Sequence, residues 1–231
     1  MISTKKDTFF QLIARTTNGL AILIDPDKFD VSQTSTFLAS IPSETSILLV
    51  GGSTCNGEDT KNVVVHLKSH TNLPVILFPG SHEQLCHAAD AVLFLNLVSG
   101  RNPQYLIEEQ IKAVPFLEAA NLEVISTGYL LIDGGTETSV QKVSETKAIS
   151  PNDIELTINT AMACEYMGKK LIYLEAGSGA KNPVPEEVIK SVTQKVSIPV
   201  IVGGGIRSKD QLQRAYKAGA SWVVMGTFFE K

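Results

Sequence analysis

The chain has 231 residues, 43% of them apolar and 19% charged, with 24 acidic against 20 basic side chains. That apolar content excludes a disordered segment, and the apolar runs fall well short of the ~20 residues that span a membrane. A net charge of −4 argues against a nucleic-acid partner, whose phosphates need a basic stripe.

At ~150 residues per domain the length allows one large domain or two small ones. No charged start, apolar stretch and cleavage site open the chain, and Cys55, Cys86 and Cys164 are odd in number with no CxxC pair. Both features predict a cytoplasmic protein with reduced thiols.

Short β-branched runs closing on Gly, Ser, Asp or Pro alternate with helical patterns. The first run, 20–25, leads into Asp25-Pro26-Asp27-Lys28, and the second, 46–51, into Gly51-Gly52-Ser53-Thr54. The third, 74–78, ends in Phe78-Pro79-Gly80-Ser81 before a short helix holding His82 and His87. The fourth, 91–96, precedes a helix over 102–120, and the fifth, 123–128, precedes a long polar loop over 133–149. A helix over 150–167, with Ser150-Pro151 as cap and first-turn proline, leads to the sixth run, 171–175. A helix over 185–195, with Glu186 and Glu187 at its positive end, precedes the seventh run, 199–203. That run ends in Gly203-Gly204-Gly205-Ile206-Arg207, and a last helix, 209–218, precedes the eighth, 222–226.

The runs are apolar at nearly every position, as parallel strands buried on both faces require. Eight β–α alternations predict an α/β fold, a (β/α)8 TIM barrel in a single domain over 1–231; a doubly wound open sheet is the other architecture with this pattern. Few residues follow the eighth run, so the closing helix of the barrel is expected to be missing, with thinner cover on strands one and eight.

In such a barrel the chemistry sits at the carboxyl ends of the strands. Glycines after strands seven and eight let backbone N–H groups approach an anion, and Gly177-Ser178-Gly179 extends that cradle; tight turns are their plainer use. Asp25 suits Mg²⁺, which takes one or two carboxylates with water and phosphate oxygens, and Ser53 is a neighbouring ligand. An Asx-turn or a cap on the next helix, a role open to Asp27 too, is the alternative for Asp25. Glu175, inside an apolar strand, is costly unless it faces a polar cavity, where it can act as a general base. A buried ion pair is disfavoured because Lys169 and Lys170 precede the strand at its other end. His66 and His70 share a helix face without a third ligand, and these two, His82 and His87 read as surface residues. No nucleophile elbow, Walker loop or dinucleotide fingerprint is present.

The segments Leu23-Ile24-Asp25-Pro26-Asp27-Lys28, Val50-Gly51-Gly52-Ser53, Tyr173-Leu174-Glu175-Ala176-Gly177-Ser178-Gly179 and Val202-Gly203-Gly204-Gly205-Ile206-Arg207, with Gly226-Thr227, stand in this order along the chain. Together they resemble the geranylgeranylglyceryl phosphate synthase family, which includes the PcrB-type enzymes. The resemblance implies a Mg²⁺-dependent prenyltransferase of phospholipid biosynthesis. It joins an isoprenoid diphosphate, geranylgeranyl diphosphate above all, to the 3-hydroxyl of sn-glycerol 1-phosphate and releases diphosphate. It implies Asp25 and Ser53 as metal ligands. It implies Tyr173, Leu174, Glu175, Ala176, Gly177, Ser178 and Gly179 as the glycerol phosphate loop, with Glu175 catalytic. Gly204, Gly205, Gly226 and Thr227 are implied as the phosphate cradle, and homodimers or hexamers as the assembly.

Leu23 stands where the PcrB-like branch has a lysine, so the chain resembles the other branch, and Lys28 or Arg207 is left to supply charge. Phe78, Phe94, Leu97, Tyr105, Val124 and Tyr129 are candidates for an apolar trough around the prenyl tail, each equally suited to the core. A sugar-phosphate isomerase or aldolase and a non-catalytic phosphate-binding barrel are the alternatives.

Overall fold

Segments that are apolar on both faces are best buried in the middle of a closed parallel sheet, and all eight lie there. The structure, a computed structural model, describes residues 8–226. Strands β1 (Gly19–Ile24), β2 (Thr45–Val50), β3 (Val75–Leu77), β4 (Ala91–Leu97), β5 (Glu123–Leu131), β6 (Leu171–Glu175), β7 (Val200–Gly203) and β8 (Trp222–Met225) follow one another around a closed parallel barrel. The seam closes with Gly19 opposite Trp222 and Ile22 opposite Met225. This is a (β/α)8 TIM barrel.

Alternate residues divide its core in two. Ile47, Leu49, Ile76, Leu93, Ile125 and Val224 fill the inside of the barrel, whereas Ile22, Leu48, Val92, Leu174 and Val202 pack outward beneath the helices. Burying each Leu or Ile side chain contributes about 1.5–3 kcal/mol, so two such layers carry most of the stability.

Helix α1 (Thr8–Arg15) seals the bottom. The Phe9 and Phe10 N–H groups donate to the buried Glu123 carboxylate at 2.8 and 2.7 Å, a favoured partner for a helix's positive end. Trp222 Nε1 donates to the Ile13 carbonyl at 2.9 Å, fastening the same plug to β8.

The remaining helices are α2 (Thr34–Ser40), α3 (Gly57–His70), α4 (Glu109–Ala119), α5 (Ser139–Ser144), α6 (Ile154–Tyr166), α7 (Glu186–Thr193) and α8 (Lys209–Lys217). Glu186 and Glu187 occupy the first turn of α7 as expected. The start of α6 differs: Asp153, not Ser150, caps it, accepting the Leu156 N–H at 3.2 Å. The loop over 133–149 also differs, because Thr138 and Gln141 form a reciprocal capping box that starts α5.

Two departures shape the site. Between β3 and β4 a single 3-10 turn, His82–Gln84, replaces the expected helix, and His87 lies beyond it. After β4, the helix expected over 102–120 begins as a π-turn, Gln104–Glu108, before α4. The buried amides of Asn96 and Gln110 donate to the Leu106 and Tyr105 carbonyls within that turn.

Leu20, Ile22 and Val223 are at most 2% exposed, contrary to the thinner cover expected on β1 and β8. The expected absence of the closing helix concerns positions after residue 226, outside the described residues. Among the described residues no helix is long and apolar enough to cross a membrane.

Candidate active site

The strand ends surround one cavity of about 700 Å³, within the range of small-molecule sites. Strand alternation decides what reaches it. From β6, Tyr173 and Glu175 face the cavity, while Leu174 and Ala176 turn away into the outer layer.

Glu175 is 5% exposed. Its Oε1 accepts the Gly177 N–H at 2.6 Å. That N–H is therefore already used, and Ser178 and Gly179 are the members of the turn that face the cavity. The rings of Phe78, Tyr129 and Tyr173 pack together, with centroids 5.0 to 5.8 Å apart. Burial among them pushes the Glu175 carboxyl up from its ordinary 4.5 to about 7, against the opposing pull of the Gly177 N–H and the Tyr173 hydroxyl. That hydroxyl is buried without a hydrogen-bond partner, near enough to bias the carboxylate but out of bonding geometry. Burial, and then the Glu175 charge, holds both tyrosines well above 10. The Lys169 ammonium binds the Asn96 side chain rather than Glu175.

Gly204 borders this carboxylate and Gly205 lies against the Asn182 and Pro183 backbone, with φ of +80° and +69°, a backbone region that disfavours any side chain. A Cβ at Gly204 would also overlap Glu175 Oε1 and the Gly177 nitrogen. Both glycines and Gly226 line the cavity. Thr227 lies outside the described residues. Arg207 also lines it, and its Nη2 donates to the Ala180 carbonyl at 2.8 Å, tying the β7 loop to the β6 loop.

Asp25 stands at the opposite side of the mouth, with its side chain 20% exposed. Its Oδ2 pairs with Lys28 Nζ at 2.7 Å and its Oδ1 accepts the Asp27 N–H at 3.2 Å, so an Asx-turn is present. The cap of the next turn is Asp30, not Asp25 or Asp27. A Cβ at Gly52 would lie 2.9 Å from Asp25 Oδ1, so only a glycine leaves that carboxylate face open. Asp25 and Ser53 line the same cavity, and one carboxylate with one hydroxyl is a donor set that Mg²⁺ accepts where the metal displaces Lys28 from Oδ2. Among the described residues no cluster of three His, Cys, Asp or Glu surrounds a metal position, so water and substrate oxygens would complete the shell.

The apolar end of the cavity occupies the space vacated by the missing helix after β3. Leu93, Leu95 and Leu97 line it from inside the barrel and Val92 and Phe94 from the outer face of β4. Ala113 of α4 and Val140 and Val143 of α5 complete the wall. Phe78, Tyr105 and Tyr129 are in it as expected; Val124 instead packs against the outer layer.

Sequence reasoning missed Glu109, Gln110 and Gln84, because their roles depend on partners up to 32 residues away. It also placed His82 on the surface, whereas the ring is half-buried against Glu109.

Comparison with known proteins gives a consistent picture. Residues 14–231 match the model of the PcrB family. The geranylgeranylglyceryl phosphate synthase of Zunongwangia profunda is 54% identical over 211 residues, covering 91% of this chain and 90% of that protein. The enzyme of the same name from Flavobacterium johnsoniae is 49% identical over 224 residues, covering 95% and 92%. The crystal structure of (S)-3-O-geranylgeranylglyceryl phosphate synthase from Thermoplasma acidophilum with sn-glycerol-1-phosphate superposes with a TM-score of 0.88 at 32% identity, covering 100% of this chain and 93% of that one.

Proposed function

The chain belongs to the PcrB family, and from that premise we propose that it is a prenyltransferase of the geranylgeranylglyceryl phosphate synthase type, acting as a single domain over 1–231. Its acceptor is sn-glycerol 1-phosphate and its donor a prenyl diphosphate, geranylgeranyl diphosphate above all. The observation that carries this reading is the continuity of one cavity, from the glycines beside Glu175, past Asp25, into an apolar trough beyond β4. A sugar-phosphate isomerase would have no use for the trough.

Gly204, Gly205 and Gly226 would present backbone to the acceptor phosphate, leaving the glycerol hydroxyls toward Glu175. The Glu175 carboxylate takes the proton of the 3-hydroxyl as that oxygen bonds to the first carbon of the prenyl chain. The bond from this carbon to the diphosphate breaks, and its electron pair leaves with the diphosphate. With a carboxyl near 7, Glu175 is a stronger base than an ordinary glutamate and is still half ionised at neutral pH. The packed rings of Phe78, Tyr129 and Tyr173 keep water from the reacting carbon. Mg²⁺ held by Asp25 and Ser53 would neutralise charge on the departing diphosphate. The protein is further read as a cytoplasmic homo-oligomer, a dimer or hexamer.

Incubation with labelled sn-glycerol 1-phosphate, Mg²⁺ and geranylgeranyl diphosphate tests the reading. An ether product is expected; absence of any ether with C15 to C35 donors would overturn it.

A further inference from the structure

The cavity wall holds an imidazole that the mechanism above does not use. His82 lies on the 3-10 turn after β3, and its ring Nδ1 hydrogen-bonds Glu109 Oε2 at 2.7 Å. The His82 backbone N–H donates to the same oxygen at 2.8 Å. The other carboxylate oxygen is bound by the Gln104 amide and faces Lys112 Nζ at 3.4 Å. Burial works to raise the Glu109 carboxyl, but the contacts from His82 and Gln104 outweigh it and hold the group below its ordinary 4.5, as a carboxylate. An imidazole held to a carboxylate through one nitrogen is fixed in orientation, so its other nitrogen keeps a single direction. Among the described residues, the second ring nitrogen, Nε2, has no hydrogen-bond partner, and His82 lines the cavity.

The turn that carries this ring is bolted to the loop that carries Ser53. Gln84, 2% exposed, accepts the Gly80 N–H at 2.8 Å and donates to the carbonyls of Gly52 and Cys55 at 3.0 and 2.9 Å. A Cβ at Gly80 would lie 3.2 Å from the Ser53 Cα, so the two loops touch backbone to backbone. His82 is two residues further on, beside the place where the donor's diphosphate would meet Ser53.

We propose that His82 is a diphosphate-binding residue for the prenyl donor, with Glu109 as the positioning residue that holds its ring. The proposal rests on the functional reading above. The diphosphate carries several negative charges, and Leu23 supplies none of the compensation; a His82 ring that takes up a proton with the diphosphate would present Nε2–H as a charge-assisted donor on the side of the mouth away from Arg207. A mere staple between the β3 loop and α4 would need the Glu109 contact but not the charge.

Calorimetric titration of the full chain with inorganic pyrophosphate and Mg²⁺, alongside steady-state kinetics, separates the two roles. His82→Gln keeps a hydrogen-bond donor for Glu109 but no cation. It is expected to weaken pyrophosphate binding and raise the KM for the prenyl donor by about tenfold, with the KM for sn-glycerol 1-phosphate unchanged. His82→Arg, which restores a cation, is expected to recover most of that loss, and Glu109→Gln to show a smaller loss of the same kind. Should His82→Gln not fold, the other two variants carry the test. Pyrophosphate affinity and donor KM equal to wild type in the variants, while the wild type forms ether, would overturn this contact alone. A wild-type chain that forms no ether and binds no pyrophosphate would overturn the functional reading and this contact with it.

Discussion

Replacing Glu175 with glutamine should make the protein more stable and nearly inactive, and the gain should depend on pH. The carboxyl rises from 4.5 to about 7 on folding, mainly because burial penalises its charge. The folded chain therefore holds this proton more tightly than the unfolded chain. Below pH 4.5 both states are protonated and the glutamate costs nothing. Between 4.5 and 7 the unfolded chain ionises first, so stability falls as pH rises; above 7 the loss is complete. At about 1.4 kcal/mol for each tenfold change in proton affinity, the full loss is about 3 kcal/mol. The substitute amide carries no charge and keeps an oxygen for the Gly177 N–H, so it escapes that loss. For a chain of this size each kcal/mol moves the melting temperature by about 2–4 °C, so Glu175→Gln should melt about 6–12 °C above wild type at pH 8.5. At pH 4.5 the two should nearly coincide. Loss of the general base should lower kcat by about 10²–10⁴-fold in the ether-forming assay. Thermal melts of both proteins across this pH range supply the check. A melting difference that is independent of pH would refute the assignment of a buried, ionising carboxyl at this position.

The same carboxyl sets a kinetic expectation: kcat/KM for the acceptor should fall about tenfold per pH unit below about 7, and a flat profile from pH 5.5 to 8 would remove Glu175 as the base. Asp25→Asn should raise the Mg²⁺ concentration for half-maximal activity by about 100-fold, and weaken Mn²⁺ binding followed by spin resonance to a similar degree, with little change in melting temperature. Gly19→Ala places a methyl group against the indole of Trp222 and should cost about 1–3 kcal/mol. The fluorescence of that residue, the only tryptophan in the chain, follows the denaturant midpoint directly, and an unshifted midpoint would contradict the packing described.

The barrel was readable because its strands are buried on two faces. Runs such as Ile47 to Val50 and Leu171 to Leu174 have no polar side to confuse the period, and the glycines and acids that end them mark the mouth. The site was readable where chemistry is local to a strand end, as at Asp25 and Glu175. It was unreadable where shape comes from something left out. A span between β3 and β4 too short for a packed helix opens the trough, and neither Val92 nor Phe94 shows in its own neighbourhood that no helix will cover it. The π-turn at Gln104–Glu108 escaped for a related reason: the amides that support it come from Asn96 and Gln110, outside its own residues. The Ser150-Pro151 signal misled because Asp153, three residues on, offers the same cap with the helix beginning immediately after it.

The seam between β1 and β8 also bears on how the protein is made. Gly19 pairs with Trp222, and Trp222 in turn binds Ile13, 209 residues earlier. Asp25 and Gly226, on opposite banks of that seam, face one cavity only once it has joined. At ~5–20 residues per second on the ribosome, the first strand waits roughly 10–40 seconds for its last neighbour, with an unpaired edge and an uncovered apolar inner row throughout. Contacts of such long sequence separation form late and slowly. The catalytic mouth therefore comes into being in the final step of folding, and a nascent chain halted before β8 holds Glu175 and Asp25 with no enclosure to join them.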